Sequence, residues 1–191
     1  MRPLVVITVL VLSIFGCAER PWHGIVRSPA DRAPALVLAG ATDLPGTRIR
    51  LDSLRGEVVV LYFGYTHCPD VCPTTLADWA RAKRALGADT TGIRWIFVSV
   101  DPTRDSPAEA RGYARQFDPA FMGTAPTDAE LALLLKDWAI AAYPEGDPRT
   151  LDYTVAHPAH TFVVDADGRF RLMIPPGVRA DDIADDLRRL R

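Results

Sequence analysis

Hydrophobic residues along this chain fall into runs with distinct periods. Val58-Val59-Val60-Leu61-Tyr62-Phe63 shows no alternation with polar residues, the pattern of a strand covered on both faces inside an α/β sheet. Ile93 to Val100 repeats it and is closed by Asp101-Pro102. Between them, Leu76, Trp79, Ala80, Lys83 and Leu86 recur at roughly helical spacing and stop at Gly87, a residue suited to a helix C-cap. Trp79 on that stripe is expected in the core. Ser106-Pro107-Ala108-Glu109 reads as a capping box with Pro at the first helical position, opening a helix that reaches Phe117. Thr127-Asp128-Ala129-Glu130 repeats the device ahead of Leu131, Leu134, Leu135 and Trp138.

The remaining patterned segments flank these. Leu36 to Leu38 and Thr47 to Leu51 surround a turn and predict a β-hairpin. His160 to Val164 and Phe170 to Ile174 predict a second, around Asp165-Ala166-Asp167-Gly168. The last segment carries Asp181 and Asp182 early and Arg188, Arg189 and Arg191 late, as a helix dipole prefers. The order hairpin, β, α, β, α, α, hairpin, α is that of an α/β protein with a thioredoxin-like fold, an N-terminal β-hairpin and an inserted helix.

The 191 residues, 48% of them hydrophobic, suffice for one domain with a full core, and a formal charge of −2 gives no field that would draw in nucleic acid. Met1 to Gly16 holds one Arg and a nearly unbroken apolar stretch from Leu4 to Phe15. As a helix it falls short of a hydrocarbon layer about 30 Å thick, so it reads as a signal-peptide core. Ile14-Phe15-Gly16-Cys17 resembles a bacterial lipoprotein signal, in which the cysteine is acylated and becomes the first mature residue. Glu19 to Pro34 is polar, with three prolines and no period. The expected organisation is a signal peptide over 1–16, a flexible membrane tether over 17–34 beginning at lipidated Cys17, and a folded domain over 35–191. Such a protein is exported and membrane-anchored, facing the periplasm or another extracytoplasmic space.

Export changes the meaning of the remaining cysteines. With Cys17 taken by lipid, Cys68 and Cys72 are an isolated pair that a buried strand delivers to the start of a helix. In an α/β sheet that is the carboxyl edge, where sites gather. Asp70 is placed to cap the helix, and Cys72 falls in its first turn, where free amides and the dipole favour thiolate. The pair is nucleophilic, metal-avid, or both. A structural disulfide is the plainer alternative, but so small a loop adds little to a domain with its own core.

Tyr62-Phe63-Gly64-Tyr65-Thr66-His67-Cys68-Pro69-Asp70-Val71-Cys72-Pro73, then Val98-Ser99-Val100-Asp101-Pro102, then Asp152-Tyr153 leading to His157, and finally Asp165 to Gly168 resemble the Sco/SenC family in content, order and spacing. The resemblance runs from about Pro34 to the C-terminus. It implies a thioredoxin-like, membrane-tethered copper protein that assists assembly of the binuclear copper site of cytochrome c oxidase. Its partners would be the copper-bearing oxidase subunit and a copper donor protein or thiol reductant. The implied metal ligands are Cys68, Cys72 and His157. Many members carry Asp just before that histidine, where this chain has Ala156. Two thiolates and one imidazole are a soft set suited to Cu(I), and one more ligand would accommodate Cu(II). Zinc competes, but its structural sites take four protein ligands and this chain offers three.

The alternative function is a thiol–disulfide oxidoreductase, with Cys68 and Cys72 as a redox-active dithiol that reduces a copper acceptor's cysteines. Three residues separate these cysteines, against two in thioredoxins, which favours the metallochaperone. Among the histidines, His67 adjoins Cys68 in extended chain and should point away from the site. His157 and His160 are three apart and should face opposite sides, and spacing back from Phe162-Val163-Val164 selects His157. Asp101, before Pro102, is assigned to turn chemistry.

Overall fold

The computed structural model describes residues 20–40, 48–150 and 152–191. In chain order its elements are β1 (Ile25–Val26), β2 (Val37–Ala39), β3 (Arg48–Arg50), β4 (Val58–Gly64), α1 (Val71–Leu86), β5 (Ile93–Ser99), α2 (Pro107–Phe117), β6 (Met122–Thr124), α3 (Asp128–Asp137), β7 (Tyr143–Glu145), β8 (Thr154–Ala156), β9 (Thr161–Val164), β10 (Phe170–Ile174) and α4 (Ala180–Arg188). Six strands form one sheet in the order β1-β10-β9-β4-β5-β6, while β2–β3 and β7–β8 are separate two-stranded sheets.

β4 lies inside the sheet because every one of its residues can be buried, and all seven are. It runs parallel to β5 and antiparallel to β9. Alternation sends Tyr62 to one face, where its ring meets Trp79 of α1 at 6.2 Å and Phe97 at 6.5 Å. Phe63 goes to the other, against Trp138 at the end of α3 at 5.4 Å and Phe162 at 5.3 Å. Both capping boxes close reciprocally, at Ser106 with Glu109 and at Thr127 with Glu130. The β9–β10 turn has Gly168 at φ +75°, and the Asp165 carboxylate accepts from the amides of Asp167 and Arg169.

The α/β order read from the sequence is present. Four strands were not anticipated: β1, β6 and the β7–β8 pair. The signal segment, Cys17 and the β2–β3 turn lie outside the described residues. Among the described residues no helix is long and apolar enough to cross a membrane.

Most of the segment expected to be a free tether is instead docked on the domain. β1 pairs with β10 through Ile25↔Met173 and Val26↔Leu172, and covers an edge that would otherwise expose unpaired amides. Further along, Ala33 donates to the Gly168 carbonyl and Phe170 to that of Asp31. Asp186 in α4 is fully buried and accepts from the amides of His23, at 3.1 Å, and Gly24, at 2.8 Å. Gly24 is required there, since a Cβ would lie 2.9 Å from Leu172. The Arg189 guanidinium lies 3.7 Å over the Trp22 ring. These are main-chain and long-range bonds, which leave no hydrophobic period behind.

Asp186→Asn removes the charge and, with its oxygen kept on the shared site, turns a donor toward the His23 amide. It is expected to cost about 1.5–3 kcal/mol in urea unfolding. Amide exchange of residues 23–26 should accelerate before that of β4, and equal protection in both proteins would remove Asp186 from this role.

Candidate metal centre

The segment that follows β4 carries Cys68, the first turn of α1 carries Cys72, and His157 follows β8. Their ligand atoms lie within 4.8 Å of one another. Both thiols are free and buried. Cys72 sits so close to β4 that a Cβ at Gly64 would be 2.8 Å from its sulfur, so only glycine fits there. The Tyr62 hydroxyl donates to Cys72 Sγ at 3.6 Å.

His157 is held by its neighbours. Its ring stands edge-on to Tyr62 at 5.8 Å and to Tyr65 at 5.7 Å. Nδ1 lies 3.1 Å from the Pro158 carbonyl, and Nε2 lies 3.6 Å from Cys72 Sγ. A carbonyl only accepts, so this contact puts an N–H at Nδ1, with Nε2 facing the sulfurs. The sequence expectation that one histidine joins the pair is matched in geometry by His157. His67 is exposed, with Nδ1 3.1 Å from Thr66 Oγ1 and 3.4 Å from Asp105, and His160 lies outside the cluster.

The start of α1 differs from expectation. Asp70 occupies the N-cap position, but its side chain makes no capping bond. The Cys68 sulfur takes that place and accepts from the Cys72 amide at 3.4 Å. Pro73, in the same turn, has no amide to satisfy. The charge therefore settles on Cys68 rather than Cys72. The Cys72 thiol, then the His157 ring and the backbone amides of Asp70 and Cys72, hold Cys68 well below the ordinary thiol range against the opposing effect of burial. Cys72 is pushed up by donating to Cys68 and by its own burial. Ionisation is thus favoured at Cys68 and disfavoured at Cys72.

Two residues with no local signal in the sequence complete the surroundings. Asp105 is buried and accepts from the Thr66 amide at 2.9 Å and from Ser99 Oγ at 2.6 Å, which fixes the loop leading to Cys68. The Arg104 side chain, 6% exposed, pairs with Asp101 at 2.5 Å. Asp101 does serve the turn, its carbonyl accepting from the amides of Arg104 and Asp105. Its carboxylate goes further, also accepting from the Tyr153 hydroxyl at 2.7 Å.

A sheet of this order, with a cysteine pair and a histidine converging at the carboxyl edge of its central strand, defines a thioredoxin-like domain with a soft, three-donor site. The chain belongs to the SCO1/SenC family, whose model matches residues 40–191. A SCO2-like protein of Rickettsia conorii is 30% identical over 153 residues, 80% of this chain and 75% of that one. Copper-bound ScoI of Bradyrhizobium japonicum is 34% identical, with TM-score 0.74 over 85% of this chain and 100% of that one. BsSco, a member of the Sco family of cytochrome c oxidase assembly proteins, shares the fold at 24% identity and TM-score 0.63, over 87% of this chain and 96% of that one.

A thiolate that persists below the usual thiol range should stay reactive as pH falls. Limiting iodoacetamide at roughly pH 6 is expected to label Cys68 ahead of Cys72 in the metal-free protein, located by peptide mass. Cys72→Ala removes the donor and should move the onset of Cys68 labelling to higher pH. Labelling that begins at Cys72, or an unchanged pH profile in the variant, contradicts this assignment.

Proposed function

We propose that this protein is an exported, membrane-tethered copper-binding protein that assists assembly of the copper site of cytochrome c oxidase. The observation that carries the proposal is the convergence of Cys68, Cys72 and His157 within 4.8 Å. Two sulfurs and one imidazole suit copper better than zinc, which in structural sites draws a fourth protein ligand. The copper-bound relative from Bradyrhizobium japonicum, at 34% identity, supports the same cargo here. Three donors hold Cu(I), and a further ligand would extend the site to Cu(II); a coordination position left free suits a metal that is handed on. The oxidase's copper-bearing subunit is the acceptor that family membership favours, with a donor protein or a thiol reductant preceding it. Lipidation of Cys17 and the tether rest on the sequence between Leu4 and Pro34.

A second reading has its own support in the thiolate–thiol pair. The Cys68 thiolate would attack one sulfur of a disulfide in the acceptor and release the other as thiolate. Cys72, on losing its proton, would then displace the second sulfur, leaving the acceptor reduced and Cys68–Cys72 oxidised.

Anaerobic titration should give one copper per protein, lost when mild oxidation joins the two sulfurs. His157→Ala should weaken binding by roughly 100-fold or more and change the copper spectrum, since losing a ligand should exceed the 10–100-fold typical of groups that only orient one. His160→Ala and His67→Ala should stay near wild type. In cells, Cys68→Ser and His157→Ala should lower oxidase activity comparably, whereas full activity in the His157 variant favours the reductase.

The anchor has a separate test. Cys17→Ala should release soluble protein or leave an uncleaved precursor, and mass spectrometry of the wild type should find an acylated Cys17 as the first residue. An intact N-terminus without an acyl chain would falsify the lipoprotein assignment.

A further inference from the structure

The site has two arms that are not joined as neighbouring strands. The dithiol arm leaves the central sheet at β4, whereas His157 follows a hairpin, β7–β8, that forms its own two-stranded sheet. β9 ties the histidine segment to β4 only from Thr161 onward, so contacts beyond sheet pairing also set the gap between the arms.

The turn from Asp101 to Asp105, between β5 and α2, reaches both arms without supplying a ligand. On one side Asp105 holds Thr66, two residues before Cys68, by its amide at 2.9 Å and its hydroxyl at 2.5 Å. On the other, Arg104 donates through Nη1 to the Tyr153 carbonyl at 2.8 Å, at the root of β8. Its Nε donates to Asp101 at 2.5 Å, and the Tyr153 hydroxyl returns to the same carboxylate at 2.7 Å. The guanidinium lies 3.6 Å over the centroid of the Tyr153 ring and 5.6 Å from that of Tyr65. Tyr65 in turn meets His157 edge-on at 5.7 Å.

A planar guanidinium can bond a carboxylate along one edge, bond a carbonyl along another and offer its face to aromatic rings at once, whereas an ammonium cannot. A buried ion pair is also a poor source of net stability, since an apolar pair of similar volume often does as well. Its distinctive contribution here is geometric.

We propose that Arg104 is the positioning residue that fixes the His157-bearing hairpin against the dithiol arm, with Asp105 anchoring the opposite arm from the same turn. The proposal rests on the copper reading for one of its readouts and is independent of it for the other.

The test compares wild type, His157→Ala, Arg104→Lys and the double variant Arg104→Met with Asp101→Asn, which leaves no buried charge unpaired. Two quantities are measured: Cu(I) affinity by chelator competition together with the Cu(II)–thiolate absorption, and the NMR shifts of the His157 ring protons in the metal-free protein, which the Tyr62 and Tyr65 rings set. Arg104→Lys is expected to weaken copper by roughly tenfold, to move its spectrum toward that of His157→Ala and to shift the ring resonances. The stoichiometry should stay at one, and the double variant should move further in the same direction. Wild-type spectra and ring shifts in folded variants overturn the proposal even if the melting temperature falls, because a merely structural role lowers only the latter. Should the double variant not fold, Arg104→Lys decides alone. Wild type without copper binding would refute the copper reading, and the ring shifts would still judge Arg104.

Discussion

Cys68 and Cys72 compete for one proton in a pocket that stabilises only one negative charge. The amide at the start of α1 faces Cys68, while Cys72 lies deeper, among Tyr62 and the backbone of β4. The resting state follows from that asymmetry. A soft cation that takes both sulfurs must displace the proton on Cys72, so binding at neutral pH releases about one proton rather than two. Affinity then rises with pH, because the group that must ionise is the one whose pKa is raised. His157 Nε2, the third donor, lies 3.6 Å from that sulfur.

This balance depends on backbone as much as on side chains. The central strand brings Gly64 against Cys72 without a Cβ, and the Cys68 sulfur substitutes for an oxygen cap that Asp70 does not provide. The offset of four positions also lets the sulfur of the first cysteine reach the amide of the second. The same sulfur therefore begins the helix and carries the charge, and moving either cysteine by one residue would separate those roles.

Much of the scaffold was legible in the chain because its signals are local. An unbroken apolar run gave β4, and two capping boxes gave the starts of α2 and α3. The Asp-Ala-Asp-Gly turn gave β9–β10. What escaped is held by long-range bonds. β1 docks through main-chain pairing and a carboxylate 162 residues away, which leaves no period in its own sequence. β6 is three residues long, and the β7–β8 pair is as short, too brief for alternation to register. In the site, the cysteines announced themselves by spacing and His157 by family resemblance. Asp105 and Arg104 did not, since an Asp and an Arg in a turn read as solvated until the fold buries them.

The two uses proposed for the dithiol place opposite demands on Cys72. A reductase needs it to ionise and resolve a mixed disulfide, a step in which Cys68 is no longer a thiolate and burial is what opposes ionisation of Cys72. Metal binding needs no free thiolate at that position, because coordination to the cation offsets the cost of losing the proton. It also gives the imidazole a task that disulfide reduction does not require, with Nε2 already turned toward the sulfurs. The copper reading therefore uses all three donors once Cys72 has given up its proton, whereas the reductase reading leaves His157 without a part.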